Sequence, residues 1–113
     1  MIKILHNPRC RKSREALHFI QEGQKPFEII EYLKDPLTES ELTDLLDKLG
    51  MEAIDLVRKG EAIYKENYKG KVFTNQEWIQ ILVQNPILIE RPIVIKGNKA
   101  VLGRPPEQIR EIL

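Results

Sequence analysis

The sequence predicts a single-domain α/β fold built on a mixed sheet, and three observations carry that prediction. A short apolar segment at the N-terminus is followed by a helical pattern and a second apolar segment, the order β-α-β. Near the C-terminus a hairpin signal is followed by a last helical pattern, the order β-β-α. Between the two halves lies a stretch of helical patterns with their own start signals, an insertion over about 37–85. The chain has 113 residues, enough for one core and too few for a second, so one domain over 1–113 is expected.

Each element has a local reason. Ile2-Lys3-Ile4-Leu5-His6 is short, apolar and β-branched, which reads as a first, central strand. Asn7-Pro8 is a turn signal. From Cys10 a helical pattern runs through Ser13, Ala16, Leu17 and Ile20, with Gly23 as its expected stop. Residues 26–32 read as a second strand. Thr38 and Glu41 form a capping box before Leu42, Leu45, Leu46 and Leu49 at helical spacing, which stop at Gly50. Residues 53–66 read as one or two short helical turns. A second capping box, Thr74 and Glu77, precedes an apolar face of Trp78, Ile81 and Leu82 that ends before Pro86. Gly97-Asn98 between two apolar runs is a two-residue hairpin signal, and Pro105-Pro106 opens a last helix with Ile109, Ile112 and Leu113 inward. Together these elements have the thioredoxin-like layout, with a helical insertion between its halves.

Composition narrows the function. Ile, Leu, Val and Phe make up 36 of 113 residues, which argues against disorder. MIKILHNPRC has no apolar core of the kind a secretory signal requires, and no apolar run approaches a membrane span. A cytoplasmic protein with no membrane partner is expected. One cysteine excludes an internal disulfide and a multi-cysteine zinc site, and His6 and His18 have no ligand-spaced partners, so no metal is expected. The net charge of +1 averages +4 over residues 1–25, −7 over 28–55 and +4 over 56–113. With that charge and no basic-aromatic interleaving, nucleic-acid binding is not expected.

The chemistry gathers at Cys10. A helix's first N–H groups lack internal partners and carry the positive end of the dipole, and both effects favour a thiolate. Arg9, Arg11, Lys12 and Arg14 act in the same direction. Basic residues at a helix start oppose the dipole, a cost that makes sense where an anion must be held. Ser13, one turn after Cys10, stands where a Cys-X-X-Cys pair has its second cysteine, and its hydroxyl is expected to donate to the sulfur. Such a site forms no internal disulfide and needs an external thiol to close a redox cycle. A buried, inert cysteine is the alternative, against which stand the charged neighbours and the helix start. His6 can tune or shuttle protons, or serve structure alone.

His6-Asn7-Pro8-Arg9-Cys10-Arg11-Lys12-Ser13-Arg14, Leu56-Val57-Arg58-Lys59, the block from Pro86 to Val94 (PILIERPIV) and Leu102-Gly103-Arg104-Pro105 occur in that order. Together they resemble the glutaredoxin-coupled arsenate reductases of the arsenate reductase/Spx superfamily, over nearly the whole chain. The resemblance implies a thioredoxin-like domain with a helical insertion. It puts the catalytic cysteine on Cys10, the histidine before the loop on His6 and the thiolate-stabilising serine on Ser13. Three oxyanion-binding arginines fall on Arg58, Arg91 and Arg104, and the cis-proline of the fold falls on Pro92. Taken singly, such arginines also read as surface salt bridges.

Arsenate is a tetrahedral oxyanion, and guanidiniums offer it planar, charge-assisted hydrogen bonds while offsetting its repulsion from a thiolate. The implied reaction is arsenate reduction in bacterial arsenic detoxification. Cys10 attacks arsenic, glutathione attacks the adduct, and glutaredoxin resolves the glutathionylated intermediate. Glutathione is then a co-substrate and glutaredoxin a partner; no bound cofactor is implied, and a monomer is expected. Well-characterised members tend to have Gly-Thr where this chain has Arg11-Lys12, which adds two cations to the candidate substrate-binding set. Two other readings share the scaffold: an Spx-type RNA polymerase-binding regulator, which Ser13 disfavours, and a glutathione-dependent thiol-disulfide reductase without arsenate specificity.

Overall fold

Side chains alternate across a strand, so Ile2 and Ile4 of β1 (Ile2–Leu5) share one face, and both are buried. The computed structural model describes residues 1–103 and 106–113, in two compact units: Met1–Asp35 with Arg91–Leu113, and Pro36–Glu90.

The first unit holds the sheet. Its strands are β1, β2 (Phe27–Ile30), β3 (Ile93–Lys96) and β4 (Lys99–Leu102), in the order β2-β1-β3-β4. β1 runs parallel to β2, with Ile4 opposite Ile29, and antiparallel to β3, with Ile4 opposite Val94. This is the mixed sheet of a thioredoxin-like α/β fold, with β1 central as the sequence predicts. α1 (Arg11–Glu22) is the crossover between the parallel strands. It sets Ala16 and Ile20 against Ile2, Ile4, Val94 and Ile109, with Leu17 and Phe27 packed around them. Each fully buried Ile or Val here contributes about 1.5–3 kcal/mol relative to exposure.

β3 and β4 form the expected hairpin with Gly97-Asn98 as its two turn residues. Gly97 has φ 60°, the first-position pattern of a type II′ turn.

Two local expectations differ. Gly23 does not take the left-handed conformation; its φ is −70°, and Gln24 carries the positive φ of 56°. The last turn has tightened first: Gly23 N–H donates to Ile20 O at 3.2 Å and Gln24 N–H to Gln21 O at 3.1 Å, so the chain reverses one residue late. The C-terminal segment Pro106–Glu111 is a 3₁₀ helix rather than an α-helix. It is short, and Ile112 N–H closes an i→i−3 bond to Ile109 O at 3.2 Å. Ile109 is nonetheless fully buried in the core, with Ile112 and Leu113 packed beside it.

The second unit is helical: α2 (Glu39–Leu49), a 3₁₀ turn at Ala53–Leu56, α3 (Ala62–Asn67), α4 (Asn75–Gln84) and a 3₁₀ turn at Pro86–Leu88. Both predicted capping boxes are present. Thr38 Oγ1 accepts from Glu41 N–H at 3.1 Å and Glu41 Oε1 from Thr38 N–H at 2.9 Å; Thr74 and Glu77 repeat the pattern at 3.1 and 2.8 Å. α4 packs against α2 and both 3₁₀ turns. Its buried face is Trp78, Ile79 and Leu82, with Ile81 only half-buried. Trp78 lies against Phe73, Tyr68 and Tyr64, with ring centroids 5.0, 6.0 and 6.4 Å away. Among the described residues, no helix is long and apolar enough to cross a membrane.

Candidate active site

Strand β1 ends at Leu5, and the next five residues build a tight platform under one sulfur. His6 N–H donates to Ile30 O at 2.9 Å, which extends the β1–β2 pairing by one residue. Asn7 Oδ1 accepts from Arg9 N–H at 3.0 Å, an Asx turn, and Asn7 O accepts from Cys10 N–H at 3.0 Å. Arg14 Nη1 donates to Pro8 O at 3.0 Å, tying the first helical turn back to the loop. These bonds place Cys10 at the N-cap of α1, extended at φ −96° and ψ 122° and half-buried.

Burial alone would push the Cys10 thiol up, but its pKa lies below the ordinary value. The opposing causes are a hydrogen bond from the Ser13 backbone N–H, one from the Arg91 side chain together with its charge, and one from the Lys12 N–H. Arg91 is the largest of the buried polar side chains in this unit, at 8% exposure, and its peptide bond to Pro92 is cis. Helix start and guanidinium thus act on the same sulfur. The arrangement favours the thiolate over the thiol and can hold an anion beside it.

Ser13 is fully buried, and its hydroxyl meets two groups of the preceding loop. Ser13 Oγ shares a 2.6 Å hydrogen bond with His6 Nδ1 and accepts from Asn7 N–H at 3.0 Å. At Cys10 the backbone N–H of Ser13 lowers the thiol pKa. His6 is itself buried, which pushes its pKa below 6.5; the Arg14 charge acts the same way, while the Glu31 carboxylate and Ser13 oppose it. A neutral His6 has one donor and one acceptor nitrogen, so its tautomer decides where the Ser13 hydroxyl proton points. If Nδ1 carries the proton, Ser13 Oγ accepts twice and its own O–H is available to another group.

The remaining predicted residues divide. Arg11 is exposed and pairs with Glu15 at 3.2 Å, and Lys12 is exposed; with Arg14, Phe19 and Arg110 they line a groove along α1. Arg58 belongs to the helical unit. There an antiparallel bridge, Val57 to Ile89, brings it beside Glu90, with Arg58 N–H donating to Leu88 O and Glu90 N–H to Leu56 O, both at 2.7 Å. Its Nε lies 3.2 Å from Glu90 Oε1 and its Nη1 3.7 Å from Glu61 Oε1, so an anion reaching Arg58 competes with two carboxylates. Arg104 lies outside the described residues. Sequence reasoning missed Glu61 and Glu90 as partners of Arg58, and Glu31 as a charge acting on His6. Glu90 and Glu31 lie far from their partners in sequence and carry no local signal, whereas Glu61, three residues after Arg58, has a spacing that could have found it. Asn7 also carried a local signal, since Asn before Pro initiates turns.

A thioredoxin-like sheet with one thiol at the N-cap of its first helix, a buried arginine on that thiol and no second cysteine defines a class of single-thiol α/β proteins. Within it, the ArsC family model matches residues 5–112, and the chain belongs to that family. It is 46% identical to the uncharacterized protein YfgD of Escherichia coli (strain K12), over 99% of this chain and 96% of that one. It is 40% identical to the arsenate reductase of Neisseria meningitidis (strain MC58), over 99% and 97%. Its structure is similar to that of the arsenate reductase from Vibrio cholerae, with TM-score 0.94 and 38% identity over 99% and 97% of the two chains.

Proposed function

We propose that this chain is an arsenate reductase, converting arsenate to arsenite through a Cys10 adduct with glutathione and glutaredoxin as reductants. The observation that carries the reading is a Cys10 thiol lowered in pKa by the α1 N-terminus and by Arg91, a guanidinium suited to an oxyanion. Relatives that bear the name arsenate reductase, at about 40% identity over the full chain, support the choice of substrate.

The thiolate attacks arsenic, and a protonated oxygen leaves as water, forming a Cys10 S–As bond. Arg91 holds the oxyanion and offsets its repulsion from the sulfur, a role proposed also for Arg58 and Arg104, with Arg11 and Lys12 adding positive charge at the entrance. Glutathione displaces a second oxygen as water and places its own sulfur on arsenic. The glutaredoxin thiolate then takes the glutathionyl sulfur, and the As–S pair stays on arsenic, which becomes As(III). Two thiols each lose one electron to a mixed disulfide, and arsenic gains both. Hydrolysis of the remaining S–As bond releases arsenite and returns Cys10. The reaction belongs in the cytoplasm, where thiols stay reduced, and a monomer with no bound cofactor suffices.

The carboxylates on Arg58 favour a second reading, glutathione-dependent thiol-disulfide reduction without arsenate chemistry. Arsenite production with both thiol partners separates the two. Wild type is expected to produce arsenite and Cys10→Ser none. Arsenite from Cys10→Ser would end both readings, and turnover of a glutathionylated peptide without arsenite would select the second.

A further inference from the structure

Gly103 follows β4 and continues its pairing with β3 by one residue: beyond the Ile93–Leu102 pair, Gly103 N–H donates to Pro92 O at 2.8 Å. The residue is buried, and its φ is not in the left-handed range, so backbone conformation does not demand glycine here. Space does. A Cβ at this position would lie 2.9 Å from Pro92 Cγ, 3.0 Å from Ile109 Cδ1 and 3.2 Å from Ile109 Cγ1. Ile109 is fully buried in the core between sheet and α1, where close packing resists displacement. A proline ring cannot swing aside as the end of a long side chain can, because it is closed onto its own backbone. A side chain at 103 therefore displaces the Pro92 ring, which is closed onto a backbone bonded directly to Arg91.

We propose that Gly103 is a positioning residue for the reactive thiol: its missing side chain lets the Pro92 ring seat against the β4 end, which fixes the Arg91 guanidinium on Cys10. The inference rests on Cys10 being the nucleophile. It concerns a residue that touches neither sulfur nor substrate and acts only through the Pro92–Arg91 link.

The test is the pH profile of Cys10 alkylation by iodoacetamide, a neutral reagent, on the full chain. Gly103→Ala is expected to move the profile to higher pH and to lower the rate at pH 7 several-fold, because alkylation follows the thiolate fraction. Arg91→Ala is expected to do the same, and the double variant to move no further than Arg91→Ala alone. A folded Gly103→Ala with the wild-type profile overturns the proposal, as does a double variant in which the two shifts add. Should Gly103→Ala fail to fold, Gly103→Ala/Ile109→Ala removes both Ile109 contacts and keeps the one to Pro92. That variant is expected to retain the shifted profile, and a wild-type profile in it refutes the link through Pro92. Alkylation needs no arsenate, so a protein that fails to reduce arsenate still answers this question.

Discussion

Replacing Ser13 by alanine removes one oxygen that serves two buried groups. Asn7 is 5% exposed and His6 6%, so their bonds to Ser13 Oγ are largely shielded from solvent. Leaving a buried donor or acceptor unsatisfied costs about 1–3 kcal/mol each. Alanine is the better helix former by roughly 0.5 kcal/mol and offsets a little of this. The net expectation is a loss of about 2–4 kcal/mol in unfolding free energy, the range of a broken buried network. Urea denaturation followed by far-UV circular dichroism measures it. In a His6→Ala background only the Asn7 bond remains to be lost, so Ser13→Ala there is expected to cost about 1 kcal/mol less, a coupling typical of residues in one network. A single-variant loss below about 0.5 kcal/mol, or strict additivity of the two substitutions, would refute the shared-oxygen account.

Burial lowers the His6 pKa, so the folded protein binds this proton less readily than the unfolded chain does. Its contribution to stability is complete above 6.5 and is lost as pH falls through the folded value; His6→Gln, which does not titrate, is expected to lose less stability than wild type between neutral pH and pH 5, and equal losses in paired urea titrations would contradict this. In the helical unit, Thr38→Ala deletes the acceptor for Glu41 N–H and is expected to cost about 1 kcal/mol, with Thr38→Ser restoring most of it in the same denaturation assay.

Much of the architecture was readable because the causes are local. The Thr38–Glu41 and Thr74–Glu77 boxes close within one turn. The Gly97-Asn98 turn fixes the β3–β4 register, and the α1 start at Cys10 follows from a turn signal meeting a helical pattern. Local reasoning failed where two local solutions compete, as at the end of α1, where Gly23 was the better left-handed residue but the tightened last turn passed that conformation to Gln24. The bend after β1 also brings His6 and Asn7 alongside the Ser13 hydroxyl, two partners that no local residue pattern announces.

The sequence by itself determined the chemical type of the centre: a single thiol at a helix start, with no partner cysteine and with basic neighbours, because residue identity and short-range spacing suffice for that. Only the tertiary structure decided which groups act on the sulfur. Of the basic residues around Cys10 in sequence, Arg11 turns to Glu15 and Arg14 to Pro8. The guanidinium on the thiol is Arg91, carried there by the turn that enters β3 and backed through Pro92 by Gly103. The physical reason is that a thiolate is stabilised by charges and N–H groups at hydrogen-bond range. That range is set by strand pairing and by the space a glycine leaves, which no local pattern of residues records.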